Sequence, residues 1–121
     1  MRRFLLLTIA LVAAGCSSSR SQSDIERGRQ AVTAALDSWK ANEPPANLKS
    51  LADPVDFSEE LRSTHALTDF SVGKIDATDK DVIRYTVALS LKDKKGKVSE
   101  REAVYAVSLR SPIVVARDPY Y

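Results

Sequence analysis

Two segments alternate apolar with other residues at a period of two, VIRYTVALSL at 82–91 and REAVYAVSL at 101–109, and KDKKGK joins them. Successive side chains of an extended strand point to opposite faces, so this alternation commits both segments to a sheet with one buried face. Ile83, Tyr85, Val87, Leu89 and Leu91 share one face of the first; Ala103, Tyr105, Val107 and Leu109 share one face of the second. The lysine-rich link with its glycine predicts a hairpin turn. Parity sets the register, because directly opposed residues must lie on the same face. A two-residue turn at Lys95-Gly96 opposes odd positions to even ones and is excluded. A three-residue loop, Lys94-Lys95-Gly96, with Gly96 at the left-handed bulge position, opposes Tyr85 to Tyr105, Ile83 to Val107 and Asp93 to Lys97.

Around this hairpin, Phe70 and Val72 mark an earlier strand and Ile113 to Arg117 a last one, which Pro112 precedes or opens. Upstream lies SDIERGRQAVTAALDSWKAN, residues 23–42. Ser23 and Glu26 have the spacing of a capping box, and Asp24 suits the positive end of a helix dipole. Ile25, Gly28, Val32, Leu36 and Trp39 form one stripe at helical spacing, and Glu43-Pro44-Pro45 ends the helix just after Asn42. Residues 43–66 read as an ordered, wrapping connection. Pro44, Pro45 and Pro54 interrupt it, Ser58-Glu59-Glu60-Leu61 opens at most one helical turn, and Leu48, Leu51, Val55, Phe57 and Leu61 call for burial. The fold class expected is α+β: one N-terminal helix packed on a curved antiparallel sheet of about four strands.

That element order, over residues 23–118, resembles the cystatin and nuclear-transport-factor-2-like (NTF2-like) superfold, a curved sheet wrapped on a helix, and resemblance of layout transfers no function. The Trp39-ended helix and the V-x-R-D of Val115, Arg117 and Asp118 also resemble small bacterial lipoproteins, a family that supplies no activity either. The cystatin inhibitors' Q-x-V-x-G loop has no counterpart in KDKKGK, which removes the main support for protease inhibition.

The amino end sets the expected location. Arg2 and Arg3 precede the apolar run FLLLTIALVAA, and Ala13, Ala14 and Gly15 lead to Cys16, the chain's one cysteine. These are the three parts of a signal peptide. Eleven residues cover about 16 Å of a hydrocarbon layer roughly 30 Å thick, too short for a permanent span. Ala13-Ala14-Gly15-Cys16 resembles the lipobox of bacterial lipoproteins, with alanine at Ala13 where that family usually carries leucine. The resemblance implies cleavage before Cys16, a diacylglycerol on its thiol and acylation of the new amino terminus. Two or three chains hold a protein at a bilayer stably where one holds it marginally. Arg2-Arg3 only superficially resembles a twin-arginine signal, and the general secretory route is expected. Ser17 resembles the lipoprotein signal for the outer membrane. The organisation is therefore residues 1–15 as signal peptide, 16–22 as acylated Cys16 and a serine-rich tether, and 23–121 as one domain in the cell envelope, facing the periplasm if the cell is Gram-negative.

The chain of 121 residues carries 18 Lys and Arg against 16 Asp and Glu, and removing Arg2 and Arg3 with the signal leaves 16 against 16. A balanced mature chain shows no basic footprint for nucleic acid. One cysteine allows no intramolecular disulfide. One histidine, His65, read as a loop residue, cannot build a multi-histidine metal site. Asp76, Asp79 and Asp81 depart from the calcium loop's spacing, and four glycines leave little material for a phosphate loop. No cofactor, metal or catalytic residue is expected. His65 with Asp69 is the one pair the NTF2-like layout nominates for a pocket inside the cone.

Two readings follow. In the first, the chain is a membrane-anchored binding module whose partners are the bilayer, through Cys16, and an envelope protein or a second copy. In the second it is a small hydrolase or isomerase using the cone. For the first, the contact surface is the sheet face away from the helix: Thr86, Ala88, Ser90, Val104, Ala106, Ser108, Val114 and Ala116. Tyr120 and Tyr121 trail beyond it. The alternative cover for this face is the segment 43–66 folded back.

Overall fold

The structure, a computed structural model, describes residues 21–43 and 55–119. Its helix, α1, runs Gln22–Lys40. The N-cap is Ser21, two residues ahead of the expected Ser23: its Oγ accepts the Asp24 N–H at 3.2 Å. Starting earlier adds helical backbone bonds and still keeps Asp24 in the first turn, so the earlier serine wins. The far end stops at Lys40 rather than after Asn42. There Asn42 takes a left-handed φ of 58°, its N–H donates to Trp39 O at 2.9 Å, and the Glu43 N–H donates to Ser38 O at 2.8 Å. This pair of bonds closes the last carbonyls before Pro44 is reached. Gly28, Ala31, Val32, Ala35, Leu36, Ser38 and Trp39 face the sheet.

Among the described residues five strands, not four, form that sheet: β1 Val55–Ser58, β2 His65–Asp76, β3 Ile83–Asp93, β4 Val98–Ser108 and β5 Ile113–Arg117. Their order is β1-β5-β4-β3-β2, and β1 pairs parallel with β5, so the sheet is mixed rather than antiparallel throughout. The added strand comes from the segment expected to wrap. Val55 and Phe57 point inward and Asp56 and Ser58 outward, a strand pattern too short to stand out beside Pro54. A 3₁₀ turn, Glu60–Ser63, follows where one helical turn was expected. His65, expected in a loop, is the first residue of β2. Two register shifts in β2, at Leu67/Asp69 and Val72/Ile75, break its alternation, which is why only Phe70 and Val72 were legible there.

The hairpin holds the register that parity demands. Tyr85 opposes Tyr105 and Ile83 opposes Val107, with Gly96 at φ 86° and the Asp93 N–H donating to Lys97 O at 3.0 Å. The odd residues of β3 and β4 then meet α1 in a core that includes Ile83, Tyr85, Val87, Leu89, Tyr105 and Val107, each at most 1% exposed. Polar atoms inside are paired. The Tyr85 hydroxyl donates to Ile25 O at 2.7 Å and the Trp39 indole N–H to His65 O at 3.0 Å. The rings of Trp39, Phe57 and Tyr105 form a tilted series with centroids 6.5 and 6.0 Å apart.

Candidate functional site

Cys16, Tyr120 and Tyr121 lie outside the described residues, so the site is built from the domain. The V-x-R-D end of β5 is consumed by the fold. Val115 is core, Arg117 turns inward, and Asp118 is buried against Arg84, whose Nε donates to Asp118 Oδ2 at 2.8 Å.

Arg117 leads to the most enclosed charge that sequence reading missed. The Glu59 side chain is fully buried at 0% exposure, with Arg117 Nε 3.7 Å from its Oε2. Glu59 Oε2 accepts the Leu61 N–H at 3.0 Å, and Oε1 accepts the Tyr105 hydroxyl at 2.6 Å. Burial, and then the bond to Glu59, push the Tyr105 phenol far above its ordinary range. The signal was present in the sequence: Glu59 continues the inward phase of Val55 and Phe57, which places a carboxylate against the core. Its hydrogen-bonding capacity serves the local structure, and a shallow hollow of about 220 Å³ beside it is lined by Ser58, Glu59, Glu60, Arg117 and Pro119.

The pair nominated for a cone pocket is divided between different partners. His65 Nδ1 is 2.8 Å from Thr64 Oγ1, whereas the exposed Asp69 pairs with Lys40 at 3.8 Å. Tyr85 and Tyr105, both 0% exposed, occupy the space between helix and sheet where such a pocket would lie. Asp76 ends β2, and Asp79 and Asp81 lie in the connection to β3. Asp76 Oδ1 accepts from the Thr78 hydroxyl at 2.7 Å and N–H at 3.0 Å, and Asp79 Oδ1 accepts the Asp81 N–H at 2.8 Å. The Thr78 hydroxyl foremost holds the Asp76 carboxyl below its usual range, and the Asp81 N–H does the same for Asp79. Among the described residues no group of three or more His, Cys, Asp or Glu could hold a metal ion, and no helix is long and apolar enough to cross a membrane.

The sheet face away from α1 carries the residues expected there. Ala88 and Val114 are exposed, and Thr86, Ser90, Val104, Ala106, Ser108 and Ala116 are half-buried. The described part of 43–66 does not fold over this face: β1 extends the sheet edge beside β5, and the 3₁₀ turn packs on the helix side, where Arg62 Nη1 donates to Ser38 Oγ at 3.4 Å.

A groove of about 350 Å³ opens at the C-terminal end of α1, walled by the last helical turn, the 3₁₀ turn, the start of β2 and the β3–β4 turn. Trp39 and Ala66 supply apolar surface, and the polar rim includes Lys40, Arg62, His65 and Lys94 together with the acid Asp93. Sequence reading missed this groove because its walls come from four separate segments. Scans of family models, of curated proteins and of solved structures find no match for the chain.

Proposed function

We propose that the chain is an exported lipoprotein, anchored in the cell envelope through acyl chains on Cys16, whose α+β domain of cystatin/NTF2-like layout is a small binding module. What carries this reading is how the fold spends its polar interior. Glu59, Tyr105, Tyr85, Trp39 and Asp118 are each hydrogen-bonded within the fold, and Tyr85 and Tyr105 stand between helix and sheet at 0% exposure. The surface this reading uses is a patch of small side chains on the sheet face away from α1, Thr86 to Ala116, which is bordered on the same face by Arg84, Glu100 and Glu102.

The test has two arms. The mature protein takes up radioactive fatty acid and partitions into detergent, and Cys16→Ser abolishes both; a mutant that still labels refutes the anchor. Ala88→Lys and Ala106→Glu leave the domain folded yet lower recovery of whatever co-purifies from native membranes. Folded variants that lose no partner discard this face.

A further inference from the structure

We propose that the groove at the C-terminal end of α1 is a docking site for an acidic polypeptide segment of a partner protein. The inference goes beyond the binding-module reading and rests on it in one step, the direction in which the groove faces.

Charge is unevenly placed along the domain. Around the groove stand Lys40, Arg62 and Lys94, and the adjoining turn adds Lys92, Lys95 and Lys97, six cations against the acids Asp37, Glu43, Glu60, Asp69 and Asp93 of the same segments and their neighbours. Two of those acids have fixed partners, one of them Lys40 itself, so among the described residues the cations without an acidic partner are Arg62 and the lysines of the turn. Asp93 Oδ1 accepts the N–H groups of Lys95 and Lys97, both at 2.9 Å, and Asp69 pairs with Lys40 at 3.8 Å. Among the described residues no carboxylate lies within 4.0 Å of the charged nitrogens of Arg62, Lys92, Lys94, Lys95 or Lys97. At the opposite end Arg27, Lys80 and Arg110 stand among Asp24, Asp79 and Asp81, cations matched by acids.

Arg62 is the strongest single indication. Its guanidinium is half-buried and fixed by neutral groups: the Ser38 hydroxyl, the Glu43 carbonyl and the Phe57 ring, whose centroid is 5.3 Å away. A partly desolvated, pre-oriented fork without a carboxylate suits bidentate capture of one. The helix dipole does not account for these cations. Its C-terminal half-charge is met by the N–H groups of Ala41, Asn42 and Glu43, which close the last carbonyls.

The shape selects a polypeptide. The groove, near the small end of ligand pockets, continues as a cationic rim along the turn to Val98, which opposes Lys92 and is 60% exposed. A strip of lysines with an apolar side chain at its end is longer than a small anion needs and matches an acidic segment carrying an apolar residue. Lipid headgroups fit less well. The 19 residues of α1 place the groove about 28 Å from Ser21, and the five-residue step from Cys16 to Ser21 reaches about 17 Å at most. A domain anchored at Cys16 therefore cannot stand upright with its basic end on the bilayer.

The full chain, in neutral detergent, is titrated with fluorescein-labelled decaglutamate, followed by anisotropy and by the fluorescence of Trp39, the one tryptophan. Saturable binding that weakens with salt is expected, with none for decaglutamine. Lys94→Glu alone weakens it several-fold, and with Lys40→Glu about tenfold or more. Arg62→Lys keeps the charge, loses the fork and weakens it several-fold, while Arg110→Glu at the other end changes nothing. Absence of saturable binding, equal loss with Arg110→Glu, or displacement of the peptide by phosphatidylglycerol vesicles at matched charge overturns the proposal. Fatty-acid labelling of the same preparation separates the two readings: an unacylated chain that binds at the groove sinks the anchor and supports the groove, and an acylated chain that ignores the peptide sinks the groove.

Discussion

Gly28→Ala sets two effects of known size against each other. At a free position inside a helix, alanine is favoured over glycine by about 1 kcal/mol. Gly28 is not free: a Cβ there would stand 2.1 Å from the Tyr85 hydroxyl oxygen and 2.9 Å from Cζ. The ring must retreat by more than about 1 Å, within a core where Tyr85 is 0% exposed. Overpacking of this kind costs about 1–3 kcal/mol. Retreat also breaks the 2.7 Å bond from the Tyr85 hydroxyl to Ile25 O, which leaves a buried hydroxyl unpaired at a further cost of about 1–3 kcal/mol. Subtracting the helical gain leaves a net loss centred near 3 kcal/mol, a fall in Tm of more than about 10 °C for a domain of this size. Urea denaturation followed by far-UV circular dichroism measures it. Tyr85→Phe alone costs about 1 kcal/mol. Combined with Gly28→Ala it costs less than the sum of the two, because the 2.1 Å contact disappears and the milder one to the ring remains. Stabilisation by Gly28→Ala, or strict additivity in the cycle, would refute the close approach of helix and ring.

Glu59→Ala leaves the Tyr105 hydroxyl, the Leu61 N–H and Arg117 without their acceptor and lowers stability by about 3 kcal/mol in the same assay; a change within about 0.5 kcal/mol, the range of a surface substitution, contradicts the network. Alkaline titration reads the tyrosines. Burial pushes the Tyr85 phenol from 10.0 up to about 12, so the folded state holds its proton more tightly than the unfolded one. Stability is intact below pH 10 and falls as pH rises toward 12, by about 2 kcal/mol from Tyr85. Tyr105, raised too, adds to the loss, and Tyr85→Phe makes the fall shallower; stability unchanged up to pH 12 in urea titrations counts against the buried phenols.

The legible parts of the fold are those where one physical rule acts alone. β3 and β4 alternate without interruption, so period and parity yield faces, turn and register together. The helix stripe from Gly28 to Trp39 is legible for the same reason, although the choice between Ser21 and Ser23 as cap is a competition between similar groups. β2 hides because its two register shifts change which parity points inward. β1 hides because four residues beside a proline carry too little pattern, and its parallel partner β5 lies more than 50 residues further on. No local rule announces such a pairing. Charged residues were the least legible of all. Arg117 and Asp118 read as a terminal motif, yet one closes on Glu59 and the other on Arg84, contacts visible only after β5 has been placed between β1 and β4.

The groove is a consequence of that topology. β1 and β2 occupy opposite edges of the sheet, four strand spacings or about 19 Å apart if the sheet were flat. Only residues 59–64 connect them, and four of those are coiled in the 3₁₀ turn, which leaves a reach of about 20 Å. A flat sheet would stretch that link to its limit, so the sheet curls around α1 and the link crosses beneath the helix end. Crossing there brings Arg62 onto Phe57 and Ser38 and sets the start of β2 against Trp39. The β3–β4 turn ends at the same height because His65 opposes Asp93. Four segments thus converge at one end, and three of them bring cations: Lys40, Arg62 and the lysines of the turn. The link that closes the sheet also assembles the basic groove, and Arg62→Lys tests both at once, since loss of the fork loosens the crossing as well as the grip on an acidic chain.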